Sequence, residues 1–368
     1  MKKIILLLIG SLTIISCSET KKELKRITFT SDSEEAVALV EKFVMNNEKG
    51  GADPVIQEKL LDSALALDPN FAMAKVYNWW GSGEQNRGRV ISAYESIDKV
   101  TDLEARFIKA AYERRVNGSI IKQDQIMDAL INDYPEYWQL RVNSGYIKNQ
   151  LLDATGSEKR WNEALEIYPN SYEALRSLAF LHIETGDFTM LPIENRDLEK
   201  AENYFERIRE IDPNSSRPDR YLGNIYRKQN DLDKALAAYQ RSNNMIEDKE
   251  SNPYRNGLLM EGHVYTFKGE YESGREKYYE GMQSAIKNKD YNWVVGFTNY
   301  IAQGYLYQKD FASAINVLSE TQLMIPSFEE TELQKINRVN FLEFFKFLAF
   351  GHSQKPEETL ASISRIKE

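Results

Sequence analysis

The sequence predicts an all-α fold, a solenoid of antiparallel helix hairpins, on three observations. From about residue 34 to the C-terminus, apolar residues recur at helical spacing and no alternating strand pattern interrupts them. Proline-centred strings punctuate the chain at a regular interval: Asp68-Pro69-Asn70, Tyr134-Pro135-Glu136, Tyr168-Pro169-Asn170 and Asp212-Pro213-Asn214. Pro135 to Pro169 is 34 residues, Pro69 to Pro135 is 66, and Pro169 to Pro213 is 44. Proline cannot continue a helix and stiffens the turn after it, so each string marks a helix end. Third, small and aromatic residues fall in matching phase between the strings, where paired helices meet.

The N-terminus comes first. Lys2-Lys3, the apolar run Ile4 to Ile15 and then Ser16-Cys17 have the basic start, apolar core and small cut-site residue of a secretory signal. The run is too short to span a bilayer. Cys17 is the one cysteine in the chain and has no internal disulfide partner. Ile14-Ile15-Ser16-Cys17 resembles a bacterial lipobox, which implies cleavage before Cys17, acylation (palmitate included) of Cys17 and a membrane anchor through that lipid. Ser18 after Cys17 resembles the sorting signal for the outer membrane, with the periplasmic and surface faces both open. The expected organisation is a signal peptide over 1–16, an acylated N-terminus and flexible tether over 17–33, and a solenoid over 34–368. Ser31 with Glu34 three residues later has the spacing of a capping box at the start of the first helix.

The body follows. One repeat reads Leu222, Gly223, Tyr226, Ala235 and Tyr239, and the copy before it Leu178, Ala179, His182, Ala201 and Phe205. Later copies read Gly262, Tyr265, Gly274, Tyr278 and Gly281, then Ile301, Ala302, Tyr305, Ala314 and Leu318. The small residue admits a close approach of two helices and the ring fills the space toward the next hairpin. The 44-residue interval implies an insertion near 188–197. Residues 72–100 and 327–368 fit the pattern poorly. Phe341, Leu342, Phe344, Phe345, Phe347, Leu348 and Phe350 make one helix apolar nearly all round, expected to be buried under the last helix, 357–366, with docking on a partner as the other reading.

These phased copies resemble the tetratricopeptide repeat (TPR). The resemblance implies a right-handed superhelix of eight or nine hairpins with a concave groove. The strings around Ala66–Ala72, Leu103–Ala110 and Asn252-Pro253-Tyr254 resemble a group of bacterial tetratricopeptide proteins found alone or beside signalling domains, which implies a scaffold and no reaction. In this repeat class, set positions of each first helix face the groove. They place Arg217, Arg220, Asn224, Arg227 and Lys228 there, preceded by Arg176 and by Asn143, Tyr146, Asn149 and Gln150, and followed by Asn256, His263, Asn299 and Gln303. The set is similar to a carboxylate clamp, in which arginine takes carboxylates and asparagine bonds peptide backbone. A solvated face whose arginines pair with acids such as Glu173 is the other reading of the same residues.

Composition narrows the function. The chain has 368 residues with a net charge of −9, and cleavage would remove Lys2 and Lys3 as well. An acidic body does not suit nucleic acid, whose phosphates reward basic surfaces. His182, His263 and His352 are the three histidines, none beside another at metal-ligand spacing, so no metal or cofactor is expected. Ser96–Lys99 and Ser284–Lys287 match a Ser-x-x-Lys spacing without companion motifs, and no strand precedes Gly81, Gly83 and Gly88 in their polar loop. The expected function is a lipid-anchored, non-catalytic scaffold that holds a protein or peptide partner, with an acidic segment, in its groove. The alternative is a surface lipoprotein binding a glycan or nutrient through Trp79, Trp80, Trp138, Trp161 or Trp293; exposed tryptophans would favour it and buried ones oppose it.

Overall fold

The computed structural model describes residues 24–49, 54–78, 80–183 and 190–366. Cys17, the signal peptide, residues 17–23 of the expected tether and Trp79 lie outside them. The described residues form an all-α solenoid, eighteen α-helices paired as nine successive antiparallel hairpins. They are α1 (Glu34–Lys49) with α2 (Pro54–Leu67), α3 (Ala72–Tyr77) with α4 (Gly83–Tyr94), and α5 (Asp102–Arg115) with α6 (Ile120–Asp133). Next come α7 (Trp138–Gln150) with α8 (Ala154–Ile167), α9 (Tyr172–His182) with α10 (Leu198–Ile211), and α11 (Arg217–Lys228) with α12 (Leu232–Asn244). The series ends with α13 (Asn252–Phe267) and α14 (Tyr271–Lys287), α15 (Tyr291–Tyr307) and α16 (Phe311–Met324), α17 (Glu332–His352) and α18 (Pro356–Arg365). Among the described residues, no helix is long and apolar enough to cross a membrane.

Each proline string sits at a helix end: α2, α6, α8 and α10 stop immediately before Asp68, Tyr134, Tyr168 and Asp212. The side chain of Asp68 replaces the lost helix bonds by accepting from Asn70 N at 2.8 Å. The phased small residues are required sterically. A Cβ added at Gly223 would lie 2.5 Å from the Tyr239 ring, and one at Gly262 would lie 2.3 Å from the Tyr278 ring. Those rings fill the space that the missing side chains leave, and both are buried. The stretches that fit the repeat poorly also form hairpins. α3 is cut to six residues, and α4 takes up Gly83 and Gly88 behind a Ser82–Gln85 capping box, so of the three glycines only Gly81 lies in the loop. The insertion falls inside the fifth hairpin, between α9 and α10, where Leu191 is buried and its N–H bonds the Leu181 carbonyl at 3.1 Å.

Three expectations are corrected. Ser33, rather than Ser31, caps α1 by accepting from Ala36 N at 3.1 Å, while the Ser31 hydroxyl donates to Asp68 at 2.5 Å. Residues 24–33, expected as flexible tether, form a strap docked on the body. Ile27 is buried, Phe29 meets Tyr77 edge-on at 5.9 Å, Lys25 pairs with Glu136 at 2.8 Å, and Thr30 gives its N–H and hydroxyl to Glu104 at 2.8 and 2.6 Å. The cause lies in Ile27 and Phe29, which give an otherwise charged segment enough apolar surface to hold it down. Third, the apolar helix is covered only in part: Leu342 is buried and Phe345, Phe347, Leu348 and Phe350 are half-buried, but Phe341 and Phe344 are exposed, and the contact of α18 with α17 includes the bond of Arg365 to Glu343 at 3.0 Å.

Candidate functional site

The first helices of the N-terminal hairpins, α1, α3, α5, α7 and α9, line a common interior, and the two halves of the molecule differ. In the N-terminal half the hairpins curl until α1 packs against α9, closing the groove around a cavity of about 650 Å³. Asn143 and Tyr146 line that cavity, as does Gln150. Their polar capacity is largely engaged within the fold. Asn143 Nδ2 donates to the Gln139 carbonyl at 2.9 Å on its own helix. Tyr146 donates to Glu173, and Arg176 bonds Glu173 at 2.7 Å and the Tyr146 oxygen at 3.1 Å. Burial alone would lower the Arg176 pKa, but Tyr146 and Glu173 outweigh it and raise the value above the usual guanidinium range. Burial, then the Glu173 charge, likewise raises the Tyr146 hydroxyl. Arg176 is therefore an internally matched charge, and Asn149 is buried.

The arrangement differs on α11. Arg217, Arg220, Asn224 and Arg227 step by three, four and three residues and share one helix face. The acid on the same helix, Asp219, is taken from the other side by Arg209 at 3.5 Å and Arg241 at 2.9 Å. Arg220 lies over the Tyr221 ring at 5.2 Å, and Arg227 reaches the Met260 sulfur at 3.7 Å. Among the described residues none of Arg217, Arg220 and Arg227 forms an ion pair. Asn224 Oδ1 accepts from the Tyr239 hydroxyl at 2.7 Å, which leaves its amide N–H groups out of that bond.

His263 continues the face on α13. Its Nδ1 shares a hydrogen bond with the Tyr278 hydroxyl at 2.8 Å and its ring meets Tyr300 edge-on at 4.6 Å. Burial first, and the Arg227 charge second, push its pKa down to about 4, so it is neutral at pH 7. Farther along, Asn299 is buried with its Oδ1 unpartnered. Sequence spacing located the α11 stripe. It also offered, as the other reading, arginines paired with acids such as Glu173, and that pairing is present at Arg176; it missed that Tyr146 joins the pair. It also missed the closure of α1 on α9, a long-range contact with no local signature.

His182 is a core residue: its Nδ1 accepts from Asp197 N at 3.1 Å. Among the described residues no three His, Cys, Asp or Glu side chains group in a way that could hold a metal. Trp138 and Trp161 are buried, and the partly buried Trp80 and Trp293 pack on Phe43 and Phe297 at 6.2 and 5.3 Å. Tryptophans arranged in this way do not offer the exposed faces that glycan stacking needs.

The architecture defines the class, a TPR-like helical-repeat protein. The tetratricopeptide repeat family matches residues 221–242, which span most of α11 and α12. Among solved structures, a tetratricopeptide repeat protein from Parabacteroides merdae is 14% identical with a TM-score of 0.48, over 72% of this chain and 91% of that one. Yeast Tom70 is 16% identical with a TM-score of 0.48, over 92% and 70% of the two chains. The apo form of RapI is 13% identical with a TM-score of 0.44, over 72% and 99%. No curated protein matches the chain in sequence.

Proposed function

We propose that this chain is a non-catalytic scaffold of the bacterial envelope, anchored through lipid on Cys17, that holds a partner protein by an acidic, extended segment laid along the groove at α11 and α13. The observation that carries the reading is the stripe of Arg217, Arg220 and Arg227, three guanidinium groups on one helix face with no ion pair among the described residues. Several other arginines are matched by acids of the fold: Arg176 by Glu173, Arg160 by Asp128 and Glu163, Arg338 by Glu330. An unmatched row on an acidic protein favours carboxylates supplied by a partner, and guanidinium groups take them in bidentate geometry. The Asn224 amide one turn from Arg220 suits the backbone of the same segment.

A fluorescein-labelled peptide rich in Asp and Glu tests the groove. Its anisotropy is expected to rise on the wild-type chain, and affinity to fall at least about tenfold in Arg220→Glu/Arg227→Glu, since each charge-assisted bond contributes about 1.5–3 kcal/mol. Equal binding by both proteins would remove the stripe from the function. The anchor is tested separately: Cys17→Ala is expected to move the protein from the membrane to the soluble fraction, and its retention on membranes would contradict lipid anchoring.

A further inference from the structure

The cavity closed by α1 and α9 is not explained by a groove for an extended chain. Its volume, about 650 Å³, falls in the range of small-molecule sites. Phe43, Tyr77, Phe107 and Trp138 supply aromatic wall on several sides. Within this wall, three buried polar atoms lack any partner: Trp138 Nε1, a donor, and Gln139 Oε1 and Glu48 Oε1, both acceptors. Trp138 is only 2% exposed, so its indole N–H is desolvated by the fold without compensation. Buried polar groups in native proteins are satisfied as a rule, by protein, water or ligand.

The charges lining the cavity do not cancel either. Glu48 is paired with Arg26, and Glu173 with Arg176. That leaves Arg115, whose Nη1 donates to the Val76 carbonyl at 2.8 Å and to Asn86 Oδ1 at 3.5 Å, and which has no carboxylate partner among the described residues. Burial holds its pKa below the usual guanidinium value, with no neighbouring acid to oppose the shift. A guanidinium withdrawn from water beside an aromatic wall favours one added negative charge.

We propose that this cavity is a binding site for a small organic acid: a ring-containing apolar body, one carboxylate for Arg115, and a hydrogen-bond donor for the free oxygens of Gln139 and Glu48. The site is separate from the arginine stripe on α11, and neither reading depends on the other.

Indole-3-propionate carries all three features, and indole-3-propanol is the same molecule without the carboxylate. Calorimetric titration of the full chain at pH 7 is expected to show one site for the acid and at least about tenfold weaker binding of the alcohol, the value of one charge-assisted hydrogen bond. Arg115→Met should reduce the acid to the affinity of the alcohol. Ala111→Phe places a ring in the cavity and should abolish both, while leaving capture of the acidic peptide through α11 intact. Should Arg115→Met fail to fold, the acid-to-alcohol ratio on the wild type and the loss in Ala111→Phe still decide the matter. Equal affinity for acid and alcohol, no heat with the acid, or undiminished binding by Arg115→Met or Ala111→Phe would overturn the proposal.

Discussion

Side chains along the groove differ in how much of their bonding capacity the fold has already used. Arg176 and Tyr146 are held by Glu173, whereas Arg220 only stacks on Tyr221 and Arg227 gives one donor to the Met260 sulfur. His263 stands between these cases: it is bonded to Tyr278, packed on Tyr300 and neutral. Its pKa lies at about 4 in the folded protein, against about 6.5 unfolded. The unfolded chain therefore binds the proton more readily, and this part of the stability is present above about pH 6.5 and lost as pH falls toward 4. Urea unfolding at pH 7 and pH 4.5 should show a smaller acid loss for His263→Phe than for the wild type; an equal loss would place the sensitivity elsewhere. That Asn143, Tyr146 and Gln150 turn toward the interior was legible from their spacing. Which of them the fold engages was not, because Tyr146 meets Glu173 from another helix, 27 positions away.

At the level of the hairpin, small residues and rings form the recurring joint. Gly145 faces Trp161, Gly223 faces Tyr239 and Gly262 faces Tyr278, each closer than a methyl group allows. Gly262→Ala is expected to cost about 1–3 kcal/mol in a denaturant melt through overpacking. A melt unchanged within error would show that the Tyr278 ring moves aside freely. This joint was readable because glycine and a large ring sixteen positions apart leave a pattern. The turns inside the hairpins were not readable. Leu152, Asn230, Lys309 and Gln354 all take positive φ between their paired helices, with φ of 64°, 62°, 60° and 60°. Helix geometry rather than residue preference imposes that conformation, so Leu, Lys and Gln appear where glycine would be expected. The last hairpin keeps the positive-φ turn at Gln354 but not the joint of a small residue and a ring. Arg365 of α18 bonds Glu343 of α17, Phe341 and Phe344 stay exposed, and no helical period could reveal which face its neighbour would take.

Across the whole molecule, two devices turn a stack of hairpins into a binding body. Curling closes the first five hairpins, α1 meeting α9, and the strap of residues 24–33 fastens them through Thr30 on Glu104 and Lys25 on Glu136. In the later hairpins, α11 carries Arg217, Arg220 and Arg227 on one face. A charged sequence such as Lys25-Arg26 read as tether because its two apolar anchors, Ile27 and Phe29, are too few to make a periodic signal. The acidic net charge excludes unspecific attraction to anionic surfaces and makes the α11 stripe a local exception. The central claim is that this exception holds a protein partner. Affinity purification from gently solubilised envelopes, read by mass spectrometry with wild type and Arg220→Glu/Arg227→Glu side by side, tests it most directly. A protein retained by the wild type and lost by a variant of unchanged thermal stability is the predicted result. The same partners on both, or none on the wild type, would contradict the account.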